Sequence, residues 1–114
     1  MNIQIIGTKK CKDTQKAERF FKERRIPFYF RDLIEKGLTK GELDNITQRV
    51  AVEDLLNKKS KVYKDRGMMY MNFNLEEELL NQSLIIKTPI VRFNKNISVG
   101  YQPEQWSKWL AENK

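Results

Sequence analysis

Apolar positions along this chain come in short blocks whose spacing changes from strand-like to helical and back. Ile3-Gln4-Ile5-Ile6 is a compact apolar run and reads as a buried strand. Gly7-Thr8-Lys9-Lys10-Cys11-Lys12-Asp13 reads as a loop, and from Thr14 to Arg24 the apolar Ala17, Phe20 and Phe21 fall at helical spacing. Arg24-Arg25 in the last turn and Pro27 just beyond mark the end of that helix. Phe28-Tyr29-Phe30 is rich in β-formers and predicts a second strand, parallel to the first in a βαβ unit.

Helical signals then recur in short pieces up to about residue 82. Thr39 and Glu42 have the spacing of a capping box. Leu43, Ile46 and Val50 make one stripe; Val52, Leu55 and Leu56 make another. Gly67 punctuates the region, and Asn74 is placed to cap a helix containing Glu76 to Leu80. Beyond it, Ile90-Val91-Arg92-Phe93 and Ile97-Ser98-Val99 predict a hairpin joined by Asn94-Lys95-Asn96, a polar connection in which Asn tolerates positive φ. Pro103 opens a last helix, with Trp106 and Leu110 expected to pack on the sheet. The order is β-α-β, a helical insert at about 39–82, then β-β-α. It predicts an α/β fold with a four-stranded mixed sheet, as a single domain over residues 1–114.

Composition narrows the chemistry. The 114 residues include one cysteine and no histidine, which rules out an internal disulfide, a structural zinc site and Ser-His-Asp or Cys-His catalysis. No metal centre or bound cofactor is expected. No apolar run approaches a signal peptide or a membrane span, so the expected location is a reducing cytoplasm. The charge of +7, from 22 Lys+Arg against 15 Asp+Glu, suits an oxyanion ligand, an acidic partner or nucleic acid, and for most of the lysines simply a solvated face. No nucleic-acid-binding motif accompanies it, and direct nucleic-acid binding is not expected.

Cys11 is the residue on which a function turns. A thiol where a loop meets a helix N-terminus gains from unpaired N–H groups and the positive end of the macrodipole, and both favour the nucleophilic thiolate. Lys9, Lys10, Lys12 and Lys16 add positive charge on the same stretch. The position also suits an inert small residue at a loop-helix junction.

Five segments carry a family resemblance. Cys11-Lys12-Asp13-Thr14-Gln15-Lys16-Ala17 resembles the C-x-x-[C/S]-[R/Q]-K-A segment of the ArsC/Spx family, which contains arsenate reductases and Spx-type transcription regulators. Arg31-Asp32-Leu33 fits the same family, and Leu55-Leu56-Asn57-Lys58-Lys59-Ser60 is similar to its L-[LI]-N-T-[RK]-[GS] segment. Ile86-Lys87-Thr88-Pro89-Ile90 is similar to its I-[KR]-R-P-[IVL] motif, and Val99-Gly100-Tyr101 to its V-G-[YF]. The resemblance spans nearly the whole chain.

It implies a thioredoxin-like fold, with Pro89 as a cis-proline facing a Cys11 that attacks or binds an oxyanion. The three arginines that hold arsenate in the glutathione- and glutaredoxin-dependent reductases fall at Asn57, at Thr88 and at Gly100 or Tyr101, none of them Arg. Bidentate recognition by guanidinium is thereby lost. The hydroxyl three residues after the cysteine is kept as Thr14, where redox-sensing Spx members carry a second cysteine. The glycine of the Spx polymerase-binding segment falls at Ala51.

Three functions follow from the resemblance. In the first, the chain is a monothiol oxidoreductase of arsenate-reductase type. Cys11 is then the nucleophile, assisted by Thr14, with Lys9, Lys12, Asn57, Lys59, Lys87, Thr88 and Pro89 toward the anion or glutathione. Glutathione or glutaredoxin would be co-substrate or partner, because an external thiol must complete turnover. In the second, it is an Spx-type regulator binding the RNA polymerase α subunit. In the third, it is a family member without redox activity.

Overall fold

The computed structural model describes residues 3–68 and 72–112. The chain divides into two compact units, Met1–Asp32 with Thr88–Lys114, and Leu33–Lys87.

The first unit is built on four strands, β1 (Ile3–Gly7), β2 (Tyr29–Asp32), β3 (Ile90–Phe93) and β4 (Asn96–Val99), in the order β2-β1-β3-β4. β1 pairs with β2 in parallel, Gln4 opposite Tyr29, and with β3 antiparallel, Ile6 opposite Ile90. β2 starts one residue later than its β-formers predict and runs on through Arg31 and Asp32. As an edge strand it tolerates polar residues that a central strand would reject. Phe28 instead packs against the core. The β3–β4 connection is Asn94-Lys95 rather than three residues, because Asn96 already pairs with Phe93; Asn94 takes φ 55°.

Helices α1 (Lys12–Glu23) and α5 (Pro103–Glu112) belong to the same unit. Ile3, Ile5, Val91 and Phe93 of the sheet share a core with Ala17, Phe20, Phe21, Trp106 and Trp109 of these helices. Trp106 is buried in this core and Leu110 packs against it partly buried, as expected, while Trp109 is buried there as well. Trp106 is fully buried, and its Nε1 donates to the buried Ser98 Oγ at 2.7 Å, so neither polar atom is stranded.

α1 starts at Lys12, not Thr14, which makes Cys11 its N-cap. It stops at Glu23: Arg25 adopts φ 58°, Arg25 N–H bonds to Lys22 O, and Ile26 N–H reaches back to Phe21 O at 2.9 Å. This is a Schellman-type ending with arginine where glycine is usual.

The second unit is helical. It contains α2 (Lys40–Thr47), a 3₁₀ turn at Val52–Leu55, α3 (Lys61–Asp65), α4 (Leu75–Asn81) and a 3₁₀ turn at Ser83–Ile85. Both arms of the Thr39–Glu42 capping box form, and Asn74 Oδ1 caps α4 by accepting from Glu77 N–H. Leu43, Ile46, Leu55 and Leu79 are buried, and Leu56 and Ile86 form an antiparallel bridge. No helix among the described residues is long and apolar enough to cross a membrane.

Candidate functional site

Cys11 sits where β1, having ended at Gly7, hands over to α1. Its N–H bonds to Thr8 O at 3.1 Å and its carbonyl accepts the first helical bond, from Gln15 N–H, at 3.0 Å. Gln15 Nε2 also donates to Lys9 O at 2.7 Å, tying the loop to the helix it feeds. The Cys11 side chain is thereby fixed at the helix N-terminus, half-buried.

Thr88 comes to it from the other end of the sequence. The Thr88-Pro89 peptide is cis, and Thr88 Oγ1 donates to Cys11 Sγ at 3.0 Å. The thiol in turn lies 3.8 Å from Thr88 O, a weak donation that the thiolate does without. Gly100 N–H bonds to Pro89 O at 2.8 Å and fastens the end of β4 to this turn.

Thr14, one helical turn below Cys11, is fully buried. Its Oγ1 is the side-chain oxygen or nitrogen that, among the described residues, is buried without a hydrogen-bond partner to the neutral thiol or elsewhere. A thiolate is a stronger acceptor than a thiol, so the charged form of Cys11 is the form this hydroxyl stabilises. Space for it comes from Gly7, since a Cβ there would collide with Thr14 Oγ1 and stand 2.8 Å from its Cγ2.

The balance at the sulfur favours ionisation. Burial alone pushes the Cys11 pKa up, and it is the largest single influence. The Thr14 and Thr88 hydroxyls and the Thr14 and Asp13 backbone N–H groups together outweigh it, holding the thiol below its ordinary value. The lysines do not enter that balance; Lys9, Lys10, Lys12 and Lys16 are exposed, and Lys16 Nζ lies over the Tyr101 ring, 5.5 Å from its centroid.

Of the residues singled out from the sequence, the first unit brings together Cys11, Thr14, Thr88 and Pro89. Lys9 and Lys12 flank the thiol along the chain with side chains in solvent. Asn57, Lys59 and Lys87 belong to the second unit. There Asn57 Oδ1 accepts from Lys59 N–H at 3.0 Å in a local turn, and Lys87 N–H bonds to Leu55 O at 2.7 Å. The Thr88 hydroxyl as a donor to sulfur was not legible beforehand. The available signal was a hydroxyl residue directly before a proline that must face the thiol. Among the described residues no group of three His, Cys, Asp or Glu side chains is arranged to hold a metal ion.

A cis-proline placed just before β3 with its neighbour Thr88 bonded to the Cys11 sulfur is the facing that the five sequence segments imply, and the ArsC family model matches residues 6–109. This chain belongs to the ArsC family. The global transcriptional regulator Spx 2 of Oceanobacillus iheyensis is 30% identical, over 96% of this chain and 84% of its own length. An ArsC-family-related protein of Bacteroides fragilis superposes with a TM-score of 0.83 at 24% identity, over 95% of this chain and 97% of its own. The arsenate reductase of Vibrio cholerae gives a TM-score of 0.81 at 20% identity, covering 95% and 97%. The fold is thioredoxin-like and is shared with these ArsC-type structures.

Proposed function

We propose that this ArsC-family chain is a monothiol oxidoreductase in which Cys11 forms a mixed disulfide with glutathione. The observation that carries the reading is the 3.0 Å bond from Thr88 Oγ1 to Cys11 Sγ, made in front of the cis-proline. A donor aimed at sulfur favours the thiolate, and thiolate attacks disulfides. In the step proposed, Cys11 S⁻ attacks one sulfur of oxidised glutathione. The Cys11–glutathione S–S bond forms as the original S–S bond breaks, and the second glutathione leaves as thiolate. The chain has no second cysteine, so an external thiol, such as glutathione or the active-site thiol of glutaredoxin, must attack the mixed disulfide and restore Cys11. The Thr88 main chain, whose carbonyl lies 3.8 Å from the Cys11 sulfur, would pair with the peptide backbone of the bound thiol. A reducing cytoplasm is the matching compartment.

Arsenate is a poor substrate on this reading. Asn57, Thr88, Gly100 and Tyr101 stand where the arsenate-holding arginines are expected, and none supplies a bidentate guanidinium. The test is the pH profile of Cys11 alkylation, followed by mass spectrometry after incubation with oxidised glutathione. Half-maximal alkylation below the ordinary thiol range together with one glutathione adduct on Cys11 supports the proposal. A normal profile and no adduct refute it. In a glutathione–glutaredoxin assay, arsenate turnover is expected to be weak or absent.

A second reading is favoured by the 30% identity to Spx 2 across nearly the whole chain: a regulator that binds the RNA polymerase α subunit. The glycine expected in the polymerase-binding segment is Ala51 here. Ala51 has φ −61° and ψ 139°, backbone open to any residue, so alanine is unstrained there. Retention of the α subunit from extract on the immobilised chain, kept in Cys11→Ser, would establish this role apart from thiol chemistry.

A further inference from the structure

The positive charge of this chain is confined to one of its units. Met1–Asp32 with Thr88–Lys114 holds 13 basic against 6 acidic residues, a net +7, whereas Leu33–Lys87 holds 9 of each and is neutral. Within the charged unit, α1 and α5 border a groove of about 310 Å³. Phe20 and Tyr101 line it, and both meet the buried Trp106 edge-on, with ring centroids 5.3 and 5.6 Å away. The aromatic surface is therefore anchored in the core, while Tyr101 keeps 40% of its surface exposed.

Two of the groove's cations lie on those rings. The Arg24 guanidinium lies 3.7 Å from the Phe20 ring centroid and donates to Phe20 O at 3.0 Å; Lys16 Nζ lies over Tyr101. Arg19 stands between them on α1. Cations already positioned on aromatic faces lose little freedom when an anion arrives.

We infer that this groove docks an acidic polypeptide segment of a partner protein, its carboxylates on Lys16, Arg19 and Arg24 and its apolar side chains on Tyr101. Glu23 and Glu104 line the same groove. A peptide can space its carboxylates to avoid them and offer them backbone N–H groups, whereas the evenly spaced phosphates of a nucleic acid cannot be placed around them. The inference stands apart from the chemistry of Cys11, which takes no part in the groove.

The experiment is fluorescence anisotropy of the full chain with a labelled peptide of alternating Glu and Phe, beside its twin with Gln for Glu. The acidic peptide is expected to bind and the neutral twin to bind at least about tenfold more weakly. Arg19→Glu is expected to cost about tenfold in affinity. Lys95→Glu, the same charge change in the β3–β4 turn of the same unit, is expected to cost little. Arg19 is exposed, and an unchanged thermal midpoint would show that the variant folds; Tyr101→Ala gives a second, uncharged probe of the groove. Equal losses in Arg19→Glu and Lys95→Glu would reduce the effect to net charge and overturn the inference. So would failure to bind the acidic peptide, or tighter binding of a duplex DNA oligonucleotide. The alkylation profile of Cys11 in Arg19→Glu reports the thiol reading independently and is expected to be unchanged.

Discussion

Replacing Thr88 by valine removes the donor to Cys11 sulfur and little else, since the side chain keeps its branching. A hydrogen bond to a charged acceptor contributes about 1.5–3 kcal/mol. Both residues are half-buried, so solvent screening points to the lower end of that range. About 1.4 kcal/mol is a factor of ten in an equilibrium. At a pH below the half-point, the thiolate fraction of Thr88→Val is therefore expected to fall about tenfold, and the half-point moves to higher pH. The same change makes the thiolate more basic. With a Brønsted coefficient of about 0.4–0.5, its limiting alkylation rate at high pH is expected to rise about threefold. Stopped-flow alkylation across pH reads both effects at once, and Thr88→Ser, which keeps the hydroxyl, is expected to restore the profile. An unshifted half-point in Thr88→Val, or a shift to lower pH, would mean that the 3.0 Å contact does not stabilise the thiolate.

Gly7→Ala is expected to displace the buried Thr14 side chain, raising the pH of half-maximal alkylation and lowering the thermal midpoint, because the added Cβ occupies the space of Thr14 Oγ1. Arg25→Gly relieves a left-handed residue at the end of α1 and is expected to stabilise by about 0.5–1 kcal/mol in urea unfolding. Cys11 ionises more readily folded than unfolded, so its stabilising contribution is present in full above the unfolded thiol value of about 8.5 and is lost as pH falls through the folded value. Over that window the stability difference between the native chain and Cys11→Ser is expected to grow with rising pH, and a flat difference would contradict the lowered pKa.

The strands, the capping box and the turn to the last helix were legible because local chemistry decides them: apolar runs, Thr39 with Glu42, Pro103 at a helix start. Boundaries slipped where tertiary pairing decides instead. Asn96 was absorbed into β4 by Phe93, and α1 began two residues early because Cys11, with no capping side-chain bond of its own, still serves as its N-cap. Position alone gave the right direction for the thiol but named lysines as part of the cause. The helix-end amides and the Thr14 hydroxyl, both expected, are among the donors that lower its pKa, and the Thr88 hydroxyl, 77 residues away in sequence, joins them. That last contact is made by the pairing of β1 with β3, and its one signal in the sequence is a hydroxyl residue directly before Pro89.

The setting of Cys11 in the sheet unit has a kinetic consequence. β4 ends at Val99, which pairs with Ile90, itself opposite Ile6 at the end of β1. α5 therefore follows a strand that ends at the same end of the sheet as β1, the end from which the chain leads to Cys11 and α1. An anionic disulfide approaches the N-terminus of α1 in a unit of charge +7, whereas a neutral reagent does not feel that field. Raising ionic strength should slow the reaction of Cys11 with oxidised glutathione and leave its reaction with iodoacetamide nearly untouched, so that salt sorts the thiol's encounters by the charge of what it meets.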